Sequence, residues 1–180
     1  MKNTVLKYGG WIGIGLSAFL LTSIQFYTDD MHLDVGMIIG YSSMIIAFFF
    51  MYFGIRNYKR EVGKGELSFG RGLAIGLLIT LLASAIYSLA WVVYSETAGT
   101  NFMDEYVEMQ KKEWAEDGMT AEEIEAELAE SAAMMEAYKN PFVKFLITTT
   151  EPLPVGVIMS LFLALMLMEK SEEEPDVTAT

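Results

Sequence analysis

"GLAIGLLITLLASAIYSLAWVVYS", residues 72–95, decides the fold class. It holds no charged side chain, and its polar atoms are a few hydroxyls and one indole N–H. About 20 helical residues cover the ~30 Å hydrocarbon core of a bilayer. In lipid the backbone must satisfy its own hydrogen bonds, which leaves only helices and closed barrels. Strand-like alternation is absent, which excludes a β-barrel. Two further blocks, 8–27 and 36–55, also lack acidic residues and match the spanning length. A fourth runs from Pro141 to Met168, interrupted by Lys144 and Glu151. The expected fold is all-α: a polytopic membrane protein with four transmembrane helices near 8–27, 36–55, 72–95 and 150–168. Together they form a single membrane domain over residues 1–180, in keeping with a 53% hydrophobic composition.

The first block follows Lys2 and Lys7, as a signal peptide would. It is longer than a typical h-region of 7–15 residues, and Thr28, Asp29 and Asp30 stand where a small-residue cleavage site would be. It reads as an uncleaved first span.

Charge then sets the orientation, because Lys and Arg stay on the cytoplasmic side. Lys2 and Lys7 precede the first span, and Arg56, Lys59, Arg60, Lys64 and Arg71 fill the connection between the second and third. The first connection, "TDDMHLD", has three aspartates and no Lys or Arg. The third holds thirteen of the 24 acidic residues against Lys111, Lys112 and Lys139. Both termini, including the tail 169–180, are expected in the cytoplasm, and the acidic connection outside. A net charge of −12 disfavours nucleic acid as a ligand. With no cysteine, a thiolate nucleophile and a cysteine metal site are excluded.

The acidic connection carries helical patterns. "FMDEYVEMQKKEWAE" puts Phe102, Met103, Tyr106, Val107, Gln110 and Trp114 on one stripe. Asp117-Gly118 stops that helix, and Thr120 with Glu123 forms a capping box for the next. The second helix aligns Ile124, Leu128, Met135 and Tyr138 and ends at Lys139, which suits its negative dipole end. The reading is an extracytoplasmic amphipathic helical hairpin over 101–139. Its stripes either bury against each other and the span ends, or present a face to a partner protein through Phe102, Tyr106, Trp114, Ile124, Leu128, Met135 and Tyr138. The acids lack the spacing and central glycine of a calcium loop.

An internal repeat is suggested by aligning "YGGWIGIGLSAFLLTS" from Tyr8 on "FGRGLAIGLLITLLAS" from Phe69, with identities that include Gly9/Gly70 and Gly15/Gly76. "VGMIIG" from Val35 likewise aligns on "VGVIMS" from Val155. A duplicated hairpin would give a pseudo-two-fold axis along the membrane normal. Small residues four apart, at Gly9/Gly13, Gly36/Gly40, Gly72/Gly76 and Gly156/Ser160, let backbones approach where lipid offers no hydrophobic drive. They serve packing inside the bundle or between copies in a homo-oligomer.

Catalytic constellations are few. His32 is the only histidine, beside Asp29, Asp30 and Asp34, and reads as a solvated loop residue rather than a metal ligand. "GKGELSFGRG" lacks the Gly-Lys-Ser/Thr ending of a phosphate loop. No metal or other cofactor is expected, and no enzymatic activity. Glu151 stands out, with Thr148, Thr149 and Thr150 before it and Pro152 and Pro154 after it. Counting back from Glu169 places it near the outer boundary. Asn140-Pro141 starts a short interfacial segment, 141–149, and Thr150 or Glu151 caps a fresh helix beyond the prolines. The alternative is an ion or solute site, with Glu151 as carboxylate and the threonines as hydroxyl ligands.

"MKNTVLKYGG", "GYSSMIIAFFFMYFGIRNYK", "GELSFGRGLAIGLLITLLASAIY" and "EPLPVGVIMSL" together resemble domain-of-unknown-function family 4199 over residues 1 to about 168. The resemblance implies a bacterial four-helix protein of the inner (cytoplasmic) membrane with an acidic loop before its last helix, and it implies no activity. The expected role is a non-enzymatic component that binds a membrane-protein partner or stabilises an assembly in the lipid bilayer. A minimal oligomeric transporter or channel using Glu151 is the other reading.

Overall fold

The computed structural model describes residues 1–24, 33–98 and 102–169, and every regular element in them is helical. The first connection with His32, the side chains of Asp34, Phe102 and Met103, and the tail beyond Glu169 lie outside the described residues. The elements are α1 (Lys2–Ser23), α2 (Leu33–Phe49), α3 (Met51–Glu61), α4 (Phe69–Thr97), α5 (Phe102–Glu116), α6 (Ala121–Tyr138), α7 (Pro141–Thr150) and α8 (Leu153–Leu167). Among the described residues, four helical stretches are long and apolar enough to cross a membrane: Lys2–Ser23, Val35–Glu61, Phe69–Thr97 and Pro141–Leu167.

Two of these stretches are jointed. At Phe50 the chain stays in the right-handed helical region, and the amides of Phe50 and Phe53 bond three residues back, to Ala47 and Phe50. At the second joint Pro152 and Pro154 have no N–H, so the carbonyls of Thr148 and Thr150 lose their usual donors. Thr148 accepts from the Glu151 amide at 3.2 Å instead. Glu151 (φ −64, ψ −53) and Pro152 (φ −79, ψ −14) are both right-handed helical, so the chain passes from α7 to α8 without turning back.

Helix α4, 29 residues and about 43 Å long, is the centre of the bundle. It packs on α1 along one side and on α7 and α8 along another; α2 and α3 close the ring between α1 and α8. Its buried residues include Trp91 and also Ile75, Ile79, Ala83 and Tyr87, and these last four pack with Ile12, Leu16, Phe48, Met51, Ile55 and Leu163. Helix α2 buries little and turns Met37, Ile38, Tyr41, Ile45 and Phe49 outward, the pattern of a lipid-facing helix.

The small residues work at the contacts with α4. A Cβ on Gly13 would come within 2.8 Å of Ile86, and one on Gly9 within 3.0 Å of Leu82. Gly76 sits against Ser160, Gly72 against Ala164, and a Cβ on Gly156 would enter the Thr80 side chain. Gly36 is buried, but Gly40 has nothing within 4 Å, so that pair makes no matched contact inside the bundle.

The proposed repeat does not carry into packing. Its alignment pairs Gly9 with Gly70 and Gly15 with Gly76, yet Gly70 and Gly15 face open space while Gly9 and Gly76 are tightly packed. The two buried stripes, Gly9/Ile12/Gly13/Leu16 and Gly72/Ile75/Gly76/Ile79, are out of step with the alignment by two residues. A pseudo-two-fold axis would require them in step.

Candidate functional site

The polar groups of α4 fall on one stripe, Thr80, Ser84, Ser88, Trp91 and Ser95, because residues three and four apart share a helix face. This stripe meets α7 and α8, which run antiparallel to it. At the far end Lys144, 8% exposed, donates to Ser95 Oγ at 3.0 Å and to Glu96 Oε1 at 2.6 Å. One turn on, Trp91 Nε1 donates to Tyr138 Oη at 2.7 Å, and that hydroxyl lies 3.4 Å from Thr148 Oγ1. Next, Thr149 Oγ1 lies 2.9 Å from Ser88 Oγ. Tyr87 Oη then donates to Glu151 Oε2 at 3.2 Å. Below the joint, the Thr80 and Ser160 hydroxyls approach to 3.3 Å. Each rung removes two polar groups from lipid, where an unpaired one costs several kcal/mol.

Ser84 lies between Thr80 and Ser88 on this stripe. Its side chain is fully buried, and among the described residues its Oγ has no hydrogen-bond partner. Thr80 and Ser88, one turn to either side, both bond back to the carbonyl four residues earlier.

The three threonines before Glu151 do not converge. Successive helical residues point about 100° apart, so Thr148 reaches Tyr138, Thr149 reaches Ser88, and Thr150 is exposed and bonds only to Ile147 O. Glu151 is exposed at the joint and joins Tyr87 rather than the threonines. The expected cap of α8 is also absent. Its N-cap is Pro152, which has no side-chain oxygen to accept from the first amides, and Glu151 before it is itself right-handed helical.

The first joint residue of the hairpin side is well formed. Asn140 Oδ1 accepts from the amides of Phe142 and Val143 at 2.9 and 3.4 Å, with Pro141 following as the first helical residue. A family model described as a protein of unknown function, DUF4199, matches residues 7–169. The chain belongs to the DUF4199 family. Comparison with curated proteins and with solved structures returns no match.

In this DUF4199 protein, α5 and α6 pack on each other, α5 also meets α2, and α6 also meets α7. Burial, then the carboxylates of Glu113 and Glu151, push the Tyr106 phenol above its ordinary value. Ile124, Leu128, Met135 and Tyr138 all turn to the same side of α6 and are half-buried, as are Tyr106 and Trp114 on α5. No residue of α6 is buried. Met134 is 61% exposed.

Sequence reading singled out Glu151 and the threonines of the DUF4199 chain, and Ser84 and Ser88 as hydroxyls able to bond across helix interfaces, but not Tyr87, Trp91 or Ser95 on α4. The signal for those partners was present, since Ser84, Tyr87, Ser88, Trp91 and Ser95 recur every three or four residues in an otherwise apolar span. What it could not give was the register that sets Lys144 against Glu96 and Tyr138 against Trp91. Among the described residues, no group of three His, Asp or Glu side chains is placed to hold a metal.

Proposed function

We propose that this protein is a non-enzymatic docking component of the inner membrane of a bacterium, displaying its acidic hairpin to a membrane-protein partner. In this reading the termini and the 62–68 connection are cytoplasmic and the hairpin is outside, in line with the distribution of Lys and Arg. The observation that carries the reading is the half-covered apolar stripe on α6. Ile124, Leu128, Met135 and Tyr138 share one face, yet none of them is buried. Apolar area left open on an ordered helix suits a partner better than water. The anchoring supports it: the Trp91–Tyr138 hydrogen bond and the Lys144–Glu96 pair hold the end of the hairpin on the bundle. A plain linker would not need that.

A photo-crosslinking residue at Met134, in native membranes followed by mass spectrometry, tests the idea. A stoichiometric adduct with one membrane protein supports it; adducts only with a second copy of the chain, or none, overturn it.

A second reading places an ion or solute site at the α7–α8 joint. The unpartnered Ser84 hydroxyl and the Glu151 carboxylate favour it, while the divergence of the three threonines counts against it. Flux through liposomes that is lost in Glu151→Gln, with stability unchanged, would establish this second role. Gln keeps an oxygen for Tyr87, so stability is expected to move by well under about 1 kcal/mol.

A further inference from the structure

Helix α3 has two faces of different character. Met51, Gly54, Ile55 and Tyr58 enter the core. Phe53, Arg56, Asn57, Arg60 and Glu61, at i, i+3, i+4, i+7 and i+8, face away from it. With Tyr8 of α1, these five line a cavity of ≈ 410 Å³ between α1 and α3. Gly54 makes the groove possible. The Tyr8 ring lies against its bare Cα, and a Cβ there would come within 2.9 Å of Tyr8 Cγ.

The lining is cationic and its cations are free to act. Among the described residues neither Arg56 nor Arg60 has a carboxylate partner. Glu61 accepts from the Asn57 amide at 3.1 Å instead. Arg56 lies over the Tyr52 ring, 5.8 Å from its centroid, which orients the guanidinium without neutralising it. Lys7 Nζ lies 5.3 Å from the Tyr8 ring centroid, a third cation against a residue of the lining.

The groove also has a polarity gradient. Between Phe53 and Arg60 the lining passes from aromatic to cationic over about 10 Å of helix rise. It does so where α3 leaves the apolar part of the bundle, beside the lipid-facing Phe49 and Phe50. Trp11, one turn along α1 from Tyr8, is 70% exposed on the apolar side. An amphiphile with an anionic head and an apolar body matches this gradient; a free phosphate ion would leave the aromatic end unused.

We propose that the α1–α3 groove is a binding site for the phosphate of an anionic phospholipid, with Arg56 and Arg60 on the phosphodiester oxygens and an acyl chain along Phe53 and Phe50. Arg suits this role because its planar fork donates two parallel hydrogen bonds to phosphate. Basic pockets between spans at the membrane surface bind headgroups in this way. Tyr8 forms the floor on which the glycerol backbone rests.

Native mass spectrometry of the detergent-purified chain, after exposure to phosphatidylglycerol or phosphatidylcholine, tests the site. The wild type should retain phosphatidylglycerol, and the Arg56→Gln/Arg60→Gln variant should retain roughly tenfold less, about 1.4 kcal/mol of binding. Arg71→Gln, outside the groove, should behave as wild type. Equal loss in Arg71→Gln, or equal retention of the two lipids, overturns the proposal. So does displacement of the lipid by inorganic phosphate, which would assign the site to a soluble anion. A second measurement uses the Trp91→Phe/Trp114→Phe variant, in which Trp11 is the remaining tryptophan: in vesicles, brominated phosphatidylglycerol should quench its fluorescence more than brominated phosphatidylcholine at equal mole fraction. Equal quenching would remove the selectivity and with it the site.

Discussion

Lys144 carries a charge into the wall of the bundle and meets Glu96 there at 2.6 Å, but the two ends are unequally buried. The lysine side chain is 10% exposed and the glutamate 44%. Removing the exposed partner strands the buried cation, while removing the lysine leaves a carboxylate that water can reach. Glu96→Ala is therefore expected to cost about 2–3 kcal/mol and Lys144→Met about 1 kcal/mol. Unfolding in mixed detergent micelles measures both, and equal losses would contradict the burial argument. Glu123 offers a residue-scale test of pH. The backbone N–H of Thr120, then its hydroxyl, donate to this carboxylate and hold it below the ordinary range. The anion is the stabilised form, so the contribution is complete above the ordinary pKa of about 4.3. It is lost as pH falls through the lowered folded value. In a carboxyl-resolved NMR titration, Thr120→Ala should move the Glu123 midpoint upward, toward the ordinary range. Lys139 behaves in the opposite sense: Glu136, 2.6 Å away, holds it above the ordinary lysine value.

At the scale of elements, α4 and α8 meet through a glycine with no room for a side chain. A Cβ on Gly156 would occupy the Thr80 side chain. Gly156→Ala should therefore destabilise the protein by about 1–3 kcal/mol through overpacking. Adding Thr80→Ala should recover most of the loss, whereas Gly40→Ala, with nothing within 4 Å of its Cβ, should cost almost nothing. The comparison is made by thermal unfolding of the single and double variants. Failure of Thr80→Ala to rescue would mean that the clash lies elsewhere. The same contact explains why Gly-x-x-x-Gly spacing alone could not say which helices meet. Gly9/Gly13 and Gly72/Gly76 have one spacing and different partners, α4 in one case and α8 in the other. The α7–α8 joint shows the converse. Two prolines and a glutamate read as a helix start, and α8 does begin there with Pro154 in its first turn, although no side chain caps it.

For the whole molecule, orientation is the first property to measure, and the cysteine-free chain makes it direct. Single cysteines introduced as Glu66→Cys and Glu125→Cys are expected to react with an impermeant maleimide from opposite sides of the membrane. Labelling of both from one side would reverse the assignment of the hairpin. Four apolar helices were legible in the sequence because lipid demands them: a charge-free block such as 72–95 has no other way to satisfy its backbone. The capping box at Thr120–Glu123 and the Asn140 cap were legible for a similar reason, since a cap is settled within four residues. The rest depended on neighbours. That α4 is the central helix, that Thr149 faces Ser88 and Tyr87 faces Glu151, and that Arg56 and Arg60 share a groove with Tyr8 all follow from helix rotation and register. In a bundle those are set by shape at contacts between distant residues. The chain by itself determined how many apolar stretches are long enough to span and where several helices begin; only the tertiary structure decided which faces meet, because a hydroxyl or a glycine on an apolar helix does not encode its partner.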